Sequence, residues 1–164
     1  IEGLHEYGIC EDTLSVQSAT YNGVGRRCLD KRRNEKGESI VSSPVIHCDR
    51  SQTEIVKKLQ NEDGGLEYTE HVEQHQLLLN YCYGHPNSTV LMLPYAPGVN
   101  FINHHSEPNA ILDWSESPLM DENILDLTAS DALEEHNGRL IVDYVAFRDI
   151  EAGEELFMDY GRDR

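Results

Sequence analysis

Apolar and polar positions alternate through residues 14–20, where Leu14, Val16, Ser18 and Thr20 can share one face of a strand. Further extended runs are read at 39–47, 89–93, 110–114, 140–147 and 156–158. Between them stand turn signals: Tyr21-Asn22-Gly23-Val24-Gly25, the segments 84–87 and 94–98, and 148–153. Two helical readings fall in the middle. Ser51-Gln52-Thr53-Glu54 has the form of a capping box ahead of Ile55, Val56 and Leu59, which predicts a short helix ending before Asp63-Gly64-Gly65. Residues 68–83 carry His71 and His75 at helical i, i+4 spacing, which reads as a solvated helix face. A third short helix is expected after a Thr128 cap, running through Glu135. The pattern is that of a β-rich α+β protein with its helices mainly in the middle.

Two stretches do not fit a plain strand-and-turn reading. In Asn100-Phe101-Ile102-Asn103-His104-His105-Ser106-Glu107-Pro108-Asn109, asparagines bracket a double histidine, and Pro108 disfavours continued helix or central strand. Such a segment reads as an internal turn presenting side chains to something. Gly153-Glu154-Glu155-Leu156-Phe157-Met158-Asp159-Tyr160-Gly161 is the other, and the two are expected to form one site.

Composition narrows the classes. A chain of 164 residues with 38% hydrophobic content supports one globular domain with a buried core. A formal net charge of −17 argues against direct nucleic-acid binding and suits a basic partner such as a lysine-rich peptide, or simply keeps the protein soluble. Cys10, Cys28, Cys48 and Cys82 form no Cys-x-x-Cys pair, so neither a zinc motif nor a disulfide framework is read. Reduced thiols in an intracellular protein, nuclear or cytoplasmic, are the expectation. No run reaches the length of a membrane span, no signal peptide is seen, and with Ile1 first the sequence reads as a piece of a longer protein. The Asn87 sequon is discounted as a chance match. Residues 115–137 are acidic and irregular and read as a surface insertion, with a partner-binding loop as the sharper alternative. A zinc-protease motif needs Glu directly after its first His, and Val72 follows His71, so no metal site is expected.

In order, these motifs resemble the SET domain of protein lysine methyltransferases. Residues 100–109 are similar to the family's Arg-Phe-x-Asn-His-Ser-Cys-x-Pro-Asn, and residues 153–161 to its Gly-Glu-Glu-Leu-Thr-(Phe/Tyr)-Asp-Tyr-Gly. Arg148-Asp149-Ile150 and Gly23-Val24-Gly25 with Gly37-Glu38 resemble the segments that precede the terminal motif and open the domain. The resemblance implies one SET domain over 1–164, divided into an N-terminal part at 14–48, an insert region at 49–89 and a C-terminal part at 90–161. It implies a fold of small twisted β-sheets with a C-terminal pseudoknot-like threading and a partly helical middle insert. That threading would set Asn103-His104 beside Tyr160.

The function implied is methyl transfer from S-adenosylmethionine to a lysine of a protein substrate, histone or otherwise. By resemblance, the backbone of Gly23, Val24 and Gly25 approaches the cofactor, as do the Asn103 side chain and the His104 backbone. Tyr160 is the catalytic tyrosine, orienting amine and methyl, and Phe101, Leu112 and Met158 line the lysine channel. Lysine arrives charged, with a pKa of about 10.4, and desolvation beside a sulfonium favours its neutral form. The chain departs from the family at Asn100 (Arg), Ser106 (Cys, a zinc ligand with a cysteine-rich tail), Ser43 (a channel tyrosine) and Phe157 (Thr). No zinc and no cysteine-rich tail are therefore expected. With Met158 and Leu112 at positions where other members carry Phe or Tyr, the expected activity is not restricted to monomethylation. The alternative class is a SET-like domain without catalysis, acting as a peptide-interaction module. A metalloprotein using His71, His75, His104 and His105 is the third class and is not favoured.

Overall fold

The computed structural model describes residues 13–19, 25–84, 88–135 and 139–161. The chain forms two compact units: Ile1–Pro44 with Tyr95–Met120 and Ile141–Arg164, and Val45–Pro94 with Asp121–Leu140.

In the first unit, β1 (Leu14–Ser18) and β2 (Arg26–Asp30) pair antiparallel from Leu14 opposite Asp30 to Ser18 opposite Arg26. The alternating face read in β1 is not an inward face. Leu14 is buried, but Val16 is 38% exposed and Ser18 is exposed. The sheet has two strands, and its Leu14 end packs at Gly98. Gly98 has φ +94°, and a Cβ there would come within 3.2 Å of Leu14 Cβ, so conformation and space both demand glycine.

The strand β3 (Ser39–Asp49) begins in this unit with Ile40, Val41 and Ser43 buried. In β10 (Leu140–Ala146), Leu140, Val142, Tyr144 and Ala146 are buried and the residues between them are half-buried, the period of two that a strand imposes on an otherwise apolar run. β10 pairs antiparallel with β9 (Ala110–Trp114), Leu112 standing opposite Tyr144. The chain's end adds β11 (Phe157–Met158), parallel to β8 (Asn103–His104). Backbone bridges Leu29–Glu155 and Asn34–Ile150 fix the other side of that terminal segment, so it runs bonded both to the β2 region and to the 100–109 loop. Ile40, Ile102, Ile150, Leu156 and Tyr144 are core residues here.

In the second unit, Val45–Asp49 of β3 pair antiparallel with β7 (Val90–Pro94), whose other edge takes β6 (Tyr83–Gly84). The helix α1 (Ala129–Glu134) is capped by Thr128, whose side chain accepts from the N–H of Asp131, as the sequence predicts.

The two middle helices are a correction. Residues 54–60 form β4 (Glu54–Gln60) and residues 66–75 form β5 (Leu66–His75), an antiparallel hairpin. The capping box exists two residues earlier: Asp49 accepts from Ser51 N–H, and Gln52 accepts from Asp49 N–H. It closes only a 3-10 turn, Arg50–Thr53, after which the β-branched Ile55 and Val56 follow their extended preference. Asn61 bonds across to Gly65 and Gly64 sits at φ +81°, which makes the read helix stop a hairpin turn instead. Residues 77–81 form a second 3-10 turn. The helical part of the middle insert is thus two short 3-10 helices, Arg50–Thr53 and Leu77–Tyr81, and His71 and His75 are four residues apart along an exposed strand.

Candidate functional site

All the described candidate residues belong to the first unit. The loop 100–109 carries a 3-10 turn, Val99–Phe101, then buries Ile102 as an anchor before Asn103 and His104 extend as β8. Parallel pairing sets Asn103 opposite Phe157 and His104 opposite Met158, and His105 N–H donates to Met158 O at 3.0 Å. Two residues further on, Tyr160 arrives beside His104. Its N–H donates to His104 Nδ1 at 3.2 Å, its hydroxyl donates to Ile102 O at 2.5 Å, and the two rings lie 5.5 Å apart. With Nδ1 accepting, neutral His104 carries its proton on Nε2. Asp159 stands 3.7 Å from the same nitrogen. The proximity of Asn103-His104 to Tyr160, expected from the resemblance, is therefore a feature of the fold.

Asn109 clamps this arrangement. It is fully buried, accepts from Phe157 N–H at 2.7 Å through Oδ1, and donates through Nδ2 to Glu155 O at 2.8 Å and Glu154 Oε1 at 3.2 Å. Its backbone N–H donates to Phe157 O and its carbonyl accepts from Phe147 N–H. Arg148 meets Glu154 Oε1 at 2.5 Å, and this hydrogen bond is the main reason the Glu154 carboxyl is held below its ordinary range. Beneath the site, Cys28 is pushed up to about 12 by burial first and by the charges of Asp30 and Glu155 after it. Burial likewise raises Asp30, partly offset by the N–H and guanidinium of Arg32. Arg32 N–H and Asn34 Nδ2 donate to its two carboxyl oxygens.

The remaining candidates are placed as follows. Met158 is buried on β11, and Leu112 is half-buried on β9, against which β11 lies. Phe101 is half-buried with the Arg26 guanidinium 5.3 Å over its ring. Ser43 is fully buried; its hydroxyl accepts from Ala96 N–H and donates to Pro44 O, which makes it part of the packing of the 94–98 turn. His105 lies tilted against Phe157 with ring centroids 5.1 Å apart and accepts from Glu107 N–H, shaping its own loop. Among the described residues no group of three His, Cys, Asp or Glu side chains could hold a metal ion. Gly23 and Val24 lie outside the described residues. Gly25 is exposed, and a Cβ there would meet nothing within 4 Å, so packing in the described chain does not demand glycine.

S-adenosylmethionine is a cation with an ammonium, a carboxylate and an adenine edge, and it needs acceptors as well as close backbone approach. Asn103 Nδ2 donates to Arg26 O at 3.0 Å and Glu155 Oε1 at 3.2 Å, while among the described residues Oδ1 accepts no hydrogen bond. A half-buried amide with its carbonyl oxygen open is a fitting acceptor for an N–H of such a ligand, and open space over Gly25 allows close backbone approach. The residues fit the group. Motif reading did not find the part played by Arg27 and Glu155: Arg27 Nη1 lies 3.7 Å from Glu155 Oε2. The signal for Glu155 was its place in the terminal motif; nothing in the sequence marks Arg27.

The comparisons with known proteins agree with this geometry. The model of the SET domain matches residues 25–161, and the chain belongs to that family. Among solved structures, it is similar to a candidate histone methyltransferase of Plasmodium falciparum at 16% identity and TM-score 0.53, covering 93% of this chain and 96% of that one. It is also similar to a polycomb repressive complex 2 chain of Chaetomium thermophilum, in an autoinhibited conformation bound to S-adenosylmethionine. There the identity is 15% and the TM-score 0.55, over 91% of this chain and 15% of that chain. These likenesses are of fold. No curated protein matches at the sequence level.

Proposed function

We propose that the chain is an S-adenosylmethionine-dependent protein-lysine N-methyltransferase acting on a basic, lysine-bearing protein or peptide. The observation that carries this reading is the parallel β8–β11 pair, which sets Asn103 and His104 against the segment that delivers Tyr160. When bound, the cofactor supplies a methyl group on a sulfonium, open to in-line attack by an amine. Asn103 through Oδ1, the His104 backbone and the Gly23-Val24-Gly25 backbone would hold it.

Tyr160 commits its proton to Ile102 O, which turns lone pairs of its oxygen toward any donor that approaches. An amine N–H can bond there, fixing the direction of the nitrogen lone pair; alignment of this kind lowers the barrier without strong acid–base chemistry. The tyrosine itself is held both at its backbone and at its hydroxyl. The apolar Met158 and Leu112, with Phe101, would form channel walls that strip water from lysine and favour its neutral form. The net charge of −17 favours basic sequences around that lysine.

Isothermal titration of the purified chain with S-adenosylmethionine, followed by mass spectrometry of a lysine-rich peptide array, tests the proposal. Saturable binding and +14 Da additions on lysine are expected. No binding would leave the interaction-module reading in its place.

A further inference from the structure

We propose that Glu155, braced by Arg27, is a positioning residue that aims the Asn103 carbonyl oxygen at the methyl donor; the inference rests on the methyltransferase reading above. A primary amide at the end of a side chain can turn over, exchanging Oδ1 for Nδ2, and only one orientation offers a ligand an acceptor. Here both Nδ2 hydrogens have acceptors, Arg26 O at 3.0 Å and Glu155 Oε1 at 3.2 Å. The turned-over amide would set Oδ1 against a carbonyl and a carboxylate, acceptor against acceptor. Orientation is thus settled before any ligand arrives, and an acceptor held in place loses less freedom on binding than one that must be ordered.

Glu155 can do this because it is itself fixed at several points. Its backbone bridges Leu29 of β2, and its carbonyl accepts from Asn109 Nδ2 at 2.8 Å. Its second oxygen, Oε2, faces Arg27 Nη1 at 3.7 Å, with the carboxylate side chain 10% exposed and the arginine side chain 24% exposed. Arg27 Nε has no hydrogen-bond partner among the described residues. The Nη1 contact with the Glu155 carboxylate is thus the ion pair that holds the guanidinium at this point. The two oxygens divide the work: Oε2 meets the cation, which keeps Oε1 on Asn103. The cation at Glu155 thus comes from strand β2.

That division makes a distinctive test possible. Glu155→Gln keeps the shape but leaves one oxygen for two donors, and the charged Arg27 competes for it with Asn103. Adding Arg27→Met removes the competitor and returns the oxygen to Asn103. Binding of S-adenosylmethionine is measured by calorimetry on the whole chain for wild type, Asn103→Ala, Glu155→Gln, Glu155→Gln/Arg27→Met and Asn103→Ala/Glu155→Gln. The fluorescence of Trp114 checks folding of each. Asn103→Ala is expected to raise Kd about tenfold, the loss of one hydrogen bond. Glu155→Gln should raise it about threefold to tenfold, the double change with Arg27→Met should recover to within about threefold of wild type, and Glu155→Gln should add nothing to Asn103→Ala. A merely structural Glu155 would give the opposite: deeper loss when Arg27 is also changed, and multiplied losses with Asn103→Ala. Either result, in a wild type that binds, overturns this inference alone. A wild type that does not bind overturns it together with the methyltransferase reading.

Discussion

Asn109→Ala removes the clamp that ties the 100–109 loop to the terminal segment. Three side-chain hydrogen bonds go at once: Oδ1 from Phe157 N–H, and Nδ2 to Glu155 O and to Glu154 Oε1. Two of the abandoned partners are backbone groups beside a side chain with no exposure, and the small alanine leaves space that water fills poorly. An orphaned buried polar group costs about 1–3 kcal/mol, and Glu154 keeps Arg148, so its share is small. Taking the low half of that range for each backbone group gives a loss of about 2–4 kcal/mol. That is a large part of the roughly 5–15 kcal/mol that holds a domain folded. Urea unfolding followed by the fluorescence of the single tryptophan, Trp114 on β9, reads it directly, with an unchanged m-value. The same clamp holds β11 in register with β8, so methyl transfer under native conditions should fall further than the folded fraction does. A stability loss below about 1 kcal/mol would refute the reasoning, because a surface asparagine costs that little.

Three further outcomes follow from the same geometry. Glu154 has its carboxyl held below the ordinary 4.5, chiefly by the Arg148 hydrogen bond, so it contributes stability above pH 4.5 that is lost as pH falls through the depressed value. The stability gap between wild type and Glu154→Gln should be present at neutral pH, below about 1 kcal/mol for so exposed a pair, and should close in acid; a gap independent of pH would contradict it. Cys28, fully buried and pushed up to about 12, should resist alkylation at pH 8 in the native chain and react after unfolding, as read by intact-mass spectrometry. Because Met158 and Leu112 bring no hydroxyl to the channel proposed for lysine, di- or trimethylated product is expected at long times; monomethyl product alone would show that another group restricts the site.

The strand at 140–147 was legible as a nearly continuous apolar run rich in β-branched residues, although only the fold shows that Leu140, Val142, Tyr144 and Ala146 are the buried set, and in the strand at 110–114 Ala110 alone is buried. Both halves of the site were legible as motifs, since asparagine, histidine and tyrosine in those orders have few other uses. The middle was misread for a physical reason. Positions i and i+4 share a face in a strand as they do in a helix, so His71 and His75 could not separate the two, and a capping box closes a single 3-10 turn as readily as it opens a helix. The hairpin turn at 61–65 held the discriminating signal, because glycines there close two strands. Arg27 was beyond reach for another reason: its meeting with Glu155 depends on the terminal segment threading back to β2, which no local pattern encodes.

The central claim is that Tyr160, held by His104 Nδ1 and Ile102 O, aligns a lysine amine for methyl transfer. Its most direct measurement is transfer of a labelled methyl group from S-adenosylmethionine to a lysine-rich peptide, by wild type and by Tyr160→Phe, with cofactor binding measured in parallel. The account predicts transfer by the wild type, and in Tyr160→Phe a rate lower by about a hundredfold or more with cofactor affinity nearly unchanged. Equal rates in the two proteins, or transfer by neither, would contradict it.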